Sequence, residues 1–142
     1  MSRIIGFNFT NISAERKSQK SDKLEVNVNI NIESIKEEKL DLMKNENVLK
    51  FDFEFSVAYK PELADIKLKG NVLATFDKEE SKSILKEWKT KKISDKTRIP
   101  LFNFIMTKCN LRALQLEEEL SLPSHVPMPR ISPEGNKTNY TG

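Results

Sequence analysis

A chain of 142 residues fits one domain, and 37% hydrophobic with 32% charged residues suits a globular fold. No run reaches the ~20 apolar residues of a membrane helix, and a formal charge of +3 argues only weakly for nucleic acid. One cysteine, Cys109, rules out an internal disulfide; with no secretory signal expected behind Arg3, where Asn8, Thr10 and Asn11 interrupt the apolar run, a cytosolic protein is predicted. The sequons at Asn8, Asn11, Asn136 and Asn139 then carry no glycan.

Ile5, Phe7 and Phe9 alternate with Gly6, Asn8 and Thr10, which predicts a first strand, and polar residues 15–23 predict a loop. Leu24, Val26, Val28, Ile30 and Ile32 then alternate with charged or Asn residues, as in a strand with one buried face. Residues 36–47 are nearly all polar and predict a connection. Leu49, Phe51, Phe53, Phe55, Val57 and Tyr59 form the strongest period-two run, greasy on one side and charged on the other. Pro61-Glu62 marks a turn into a fourth strand through Ile66, Leu68, Gly70, Val72, Ala74 and Phe76, with Gly70 signalling a bulge or a close packing contact. Short connections between consecutive strands predict an antiparallel meander.

The period then changes. Asp77 with Glu80 three residues later predicts a capped helix, and Ile84, Leu85 and Trp88 give it a narrow apolar stripe. Lys89–Arg98 reads as a basic linker. Pro100 suits the first turn of a long helix over 101–120. On its wheel Phe102, Ile105, Met106, Cys109, Ala113, Leu116 and Leu120 share one face, while Phe104, Leu111 and Leu114 form another. Four strands at ~4.8 Å spacing span nearly 20 Å, so both helices are needed to roof the sheet. The second face of the long helix is therefore predicted to meet another subunit. The Pro-rich stretch from Ser121 is extended, a single domain is predicted over 1–131, and 132–142 are a flexible tail.

No constellation carries catalysis. His125 sits alone in a loop, so a zinc site lacks ligands, and Cys109 on an apolar face reads as a structural thiol. Glu117-Glu118-Glu119 and Glu79-Glu80 read as solvated helix faces. No glycine-rich phosphate loop is present. No cofactor and no enzymatic activity are expected. The basic residues Lys86, Lys89, Lys91, Lys92, Lys96 and Arg98, interleaved only by Trp88, are read as a solvated linker, with a nucleic-acid-binding module as a rival. Surplus apolar surface instead predicts oligomerisation or a site for something apolar, with Phe51, Phe53, Tyr59, Phe76, Trp88, Leu122, Val126 and Met128 as candidate contacts.

The order of elements, with Ile99-Pro100-Leu101-Phe102 opening the long helix, Leu120-Ser121-Leu122-Pro123 after it, and Phe9 with Asn11-Ile12-Ser13-Ala14-Glu15 closing the first strand, resembles the SecB family of export chaperones over residues 4–123. The resemblance implies an α+β fold with a four-stranded antiparallel sheet, a short helix and one long helix. It also implies a homotetramer built as a dimer of dimers, in which strands pair across the dimer and Phe104, Leu111 and Leu114 pack between dimers. It further implies ATP-independent holding of unfolded or partly folded polypeptides in apolar grooves, delivery to a translocation motor in some members and protection of an antitoxin in others. The chain departs from the family in stopping its periodicity at Pro127 and in being slightly basic. The family's second C-terminal helix is absent from the pattern, and its motor-contacting acidic residues find no match. Chaperoning therefore carries over better than motor delivery.

Overall fold

The computed structural model describes residues 3–17, 23–39, 46–127 and 129. Its elements are β1 (Arg3–Arg16), β2 (Glu25–Glu38), β3 (Asn47–Lys60), β4 (Ala64–Phe76), α1 (Lys78–Trp88) and α2 (Asp95–Glu119). The four strands form one antiparallel sheet in the order β1-β4-β3-β2. The α+β class with a four-stranded antiparallel sheet, a short helix and a long one is therefore the fold.

The meander holds only from β2 to β4. β1 crosses to pair with β4, giving a Greek-key order with β1 and β2 at the two edges. Adjacency in sequence favours hairpins but does not fix where the first strand docks. The β3–β4 turn lies at the expected position: Pro61 is joined through a cis bond, Glu62 has φ 49° and the Leu63 N–H donates to the Tyr59 carbonyl.

Strand alternation makes one sheet face apolar and the other polar. β3 supplies Leu49, Phe51, Phe53, Phe55 and Val57, all 0% exposed, and β4 supplies Ile66, Leu68, Val72, Ala74 and Phe76, also at 0%. β1 and β2 depart from strict alternation. The register skips at Ile5 and at Thr10 in β1, and at Glu33 in β2. Each skip is a bulge that resets which side faces the core. Ile5 is thereby turned outward while Ile4, Phe7 and Phe9 pack on the core, and Ile35 is buried beyond Glu33. β1 and β2 run on to Arg16 and Glu38, past the ends that polarity predicts, because backbone pairing continues through their polar residues. Gly70 is required by close approach: a Cβ there would stand 2.2 Å from the Asn8 carbonyl oxygen and 2.9 Å from the Phe53 ring.

α1 begins where its cap predicts. The Asp77 carboxylate accepts the Glu80 N–H at 2.7 Å, which holds this carboxyl below the ordinary range. Buried Ile84, with Leu85 and Trp88 beside it, faces β2, β3 and β4. α2 starts earlier than predicted, at Asp95, so that the end of the linker, 95–98, is helical and Pro100 lies inside. Pro100 cannot donate to the Lys96 carbonyl, a loss limited to one bond near the helix start. The i+4 stripe Thr97, Leu101, Ile105, Cys109 and Ala113 is buried, with Leu116 and Glu117 completing it. Burial pushes the Cys109 thiol up to about 12.

The second face of α2 needs correcting at Phe104. Phe104 packs within the protomer, edge-on to Phe7 at 5.7 Å, and Leu114 is half-buried. Leu111 alone of the three is open, at 61% exposure. The wheel sets Phe104 apart from the main stripe, but β1 at the sheet edge reaches round to meet it.

Candidate functional site: a groove beside an edge strand

Both helices end in the same way. Lys92 N–H reaches the Glu87 carbonyl and Lys91 N–H the Trp88 carbonyl, with Lys91 at φ 59°. Leu122 N–H reaches the Glu117 carbonyl and Ser121 N–H the Glu118 carbonyl, with Ser121 at φ 54°. These are Schellman closures with Lys and Ser where glycine is usual. Past the two closures the chain takes different courses.

After α2 the chain folds back onto the sheet. Arg16 Nη1 donates to the carbonyls of Leu120 (2.8 Å) and Ser121 (2.7 Å), taking up acceptors at the helix end. Leu122 is buried. The Glu117 carboxylate, pointing inward, is met by the Tyr59 hydroxyl at 2.6 Å, by His125 Nδ1 at 2.7 Å and by the His125 backbone N–H at 3.2 Å. The Tyr59 hydroxyl also lies 2.6 Å from the Pro123 carbonyl, and His125 Nε2 is 2.8 Å from Asn110 Oδ1. The Tyr59 phenol is shifted upward, chiefly by burial and then by Glu117. The His125 and Glu117 side chains are 0% and 2% exposed, out of reach of a substrate. His125 thus does have partners, a correction to its reading as a lone loop residue. Glu117 is no solvated helix residue but the hub of a buried polar clasp. The sequence does not reveal the cluster because its members come from β3, α2 and the segment beyond, joined only by the fold.

After α1 the chain stands off from the sheet. Ile30 and Ile32 of β2, Trp88 at the end of α1, Ile93 between the helices and Phe102 of α2 enclose an open groove of about 470 Å³, with Asn31, Glu33, Lys91 and Arg98 also lining it. Among the described residues β2 has a strand partner only on its β3 side, and its other edge carries backbone groups that no described strand pairs. The apolar side of β2 continues away from the groove through Val28, 40% exposed, to Leu24, 38% exposed. From Leu24 to Ile32 this track runs about 27 Å, the length of eight extended residues. Lys91 Nζ lies 4.6 Å from the Trp88 ring centroid, and the Arg98 guanidinium carbon 6.0 Å from that of Phe102.

The sequence-derived contact residues divide sharply. Phe51, Phe53 and Phe76 are 0% exposed and Tyr59 1%, so these four are core: the helices cover the centre of the apolar face and leave only its β2 margin. Trp88 lines the groove. Leu122 is buried and Val126 half-buried near the clasp, between His125 and solvent-facing Pro127. Met128 and the tail beyond 131 lie outside the described residues. Ile30, Ile32, Ile93, Phe102, Lys91 and Arg98 join the groove without having been expected as contacts. The available signal is the basic run around Trp88, which the sequence alone reads as linker. Among the described residues no cluster could hold a metal ion, and no helix is long and apolar enough to cross a membrane.

No family model matches the chain, and no curated protein sequence does. A solved structure of the SecB-like chaperone of Mycobacterium tuberculosis, in complex with a ChAD peptide from the HigA1 antitoxin, aligns over 92% of this chain and 91% of its own, at 11% identity and a TM-score of 0.49. At that level of similarity neither the fold nor the functional reading rests on it.

Proposed function

We propose that this protein is an ATP-independent holding chaperone that binds non-native polypeptides, in extended form, along β2 and the groove between β2 and the α1–α2 connection. The observation that carries the reading is the open apolar groove lined by Ile30, Ile32, Trp88, Ile93 and Phe102, continuous with exposed Val28 and Leu24 on an unpaired strand edge. Such an edge offers backbone hydrogen bonds to any extended segment, and the apolar pockets take alternate side chains. Selection by burial and backbone pairing tolerates many sequences. The modest area involved allows release without nucleotide.

The reading extends to assembly. A second copy pairs along β1, whose exposed Ile5 and Ile12 otherwise face water, and Leu111 joins two such dimers into a tetramer. Work in the cytoplasm and service to protein export are part of the same proposal, as is the narrower variant in which one antitoxin-like client is protected.

The test is light scattering of a denatured client diluted into buffer with and without the folded protein, at low and high salt and without nucleotide. Suppression of aggregation near stoichiometry that survives high salt is expected, because hydrophobic association persists when charge is screened. No suppression overturns general holding. Binding that collapses steeply with salt would point to the basic segment acting on nucleic acid instead.

A further inference from the structure

The groove is apolar in its floor and cationic at its rim. Lys91 and Arg98 both line it, each standing by an aromatic ring that also lines it. The segment that forms this wall, residues 86–98, holds six basic residues against Glu87 and Asp95, a net +4 where the whole chain carries +3. Of these six, Lys91 and Arg98 stand at the groove itself.

Two acidic groups beside that wall have basic neighbours of their own. Asp95 accepts from Arg98 Nε (3.2 Å) and Nη2 (2.7 Å), and both side chains remain open to solvent. Glu33, on the β2 side, lies 3.9 Å from Lys69 Nζ. Lys91 forms no ion pair among the described residues and sits against the Trp88 ring instead. Its backbone is left-handed, at φ 59°, where a lysine is accommodated at a cost that glycine would avoid. The cost is borne at the position that sets an ammonium over the groove's largest ring.

We propose that the groove prefers extended polypeptide segments in which apolar or aromatic anchors are flanked by Asp or Glu, with Lys91 and Arg98 receiving the carboxylates while the anchors rest on Trp88, Ile93, Phe102, Ile30 and Ile32. This rests on the groove being the client site, and adds to it a charge preference. Carboxylates at the rim meet cations that stay partly hydrated, so the preference is moderate and fades with ionic strength.

The experiment uses two peptides with one shared apolar core lacking Trp, one flanked by aspartates and the other by lysines. Each is titrated into the intact protein while the emission of Trp88, its single tryptophan, is followed. At low ionic strength the aspartate-flanked peptide is expected to bind about tenfold more tightly, the yield of two weak charge contacts and the removal of like-charge repulsion. In the double variant Lys91→Gly, Arg98→Gln the ratio between the peptides falls toward one. Lys91→Gly suits the left-handed position, so the turn is kept. Equal binding of both peptides, or tighter binding of the lysine-flanked one, overturns the charge preference while leaving the groove as the client site. If neither peptide perturbs Trp88, the groove reading falls and the preference with it.

Discussion

The two ends of α2 receive the same apolar sheet in opposite ways. Beyond its C-terminus the chain doubles back, and Tyr59, Asn110, Glu117 and His125 lock it down with every buried polar side-chain atom partnered among the described residues. Before its N-terminus the chain bridges from Trp88 to Asp95 without closing on β2, and Ile30, Ile32 and Phe102 are left around an open groove. Both segments leave a Schellman-closed helix, so local backbone chemistry does not separate them. The difference lies in the residues beyond: a buried hydrogen-bonding set at one end, solvated lysines at the other. A buried polar cluster is costly unless complete, which makes the closed end a fixed part of the fold. The open end has no such commitment, as its reading as a client site requires.

The contrast stands or falls most sharply on Cys109, on the buried stripe of α2. With its thiol at about 12 against an ordinary 9.0, the thiolate fraction at pH 8 falls by about three orders of magnitude. A thiol reagent is expected to label native protein roughly a thousandfold more slowly than unfolded protein, in a stopped-time labelling assay. Rapid labelling would show that α2 lifts from the sheet, and the open end would then be only part of the mobile region.

His125→Ala addresses the closed end directly. Removing the ring leaves Glu117 buried at the clasp with a partner missing, and unfolding free energy by denaturant titration is expected to fall by roughly 3 kcal/mol. A change within ~0.5 kcal/mol would mean that the clasp holds nothing. Val28→Asp addresses the open end. This residue is 40% exposed on the edge strand, so the melting temperature should barely move, whereas affinity for an unfolded polypeptide drops by roughly tenfold.

A smaller change is expected at α1, which carries the groove's Trp88. Asp77 has its folded pKa lowered by the Glu80 N–H, so its contribution is full above the ordinary carboxylate value and is lost as pH falls through the folded one. Asp77→Ala should therefore lower the melting temperature by a few degrees at pH 7, and the two melting curves should converge below about pH 4. A constant gap across that range would exclude the cap as its source.

Legibility tracks the range of the interactions. The period-two runs of β3 and β4, the Pro61 turn, the close packing at Gly70 and the Asp77 cap are local, and each is readable from a few residues. The place of β1 beside β4 is not, because no local pattern distinguishes a neighbour from a crossover. The bulges at Ile5, Thr10 and Glu33 are hidden for a related reason: each is defined by the partner strand's register. Trp88 is identifiable as an aromatic at the end of a narrow stripe. The aromatic residues of β3, equally apolar in sequence, prove to be core, since alternation tells which face a residue takes and not which part of that face is roofed. The clasp needs three distant segments at once.

Hydrogen exchange by mass spectrometry, with and without a permanently unfolded, reduced and alkylated client, separates the open end from the closed one in a single experiment. Added protection is expected in β2 (25–38) and in 88–102, with 113–127 unchanged because the clasp is already closed. Protection confined to 113–127 or to β1, with β2 and the α1–α2 connection unaffected, would overturn the assignment of the groove as the client site.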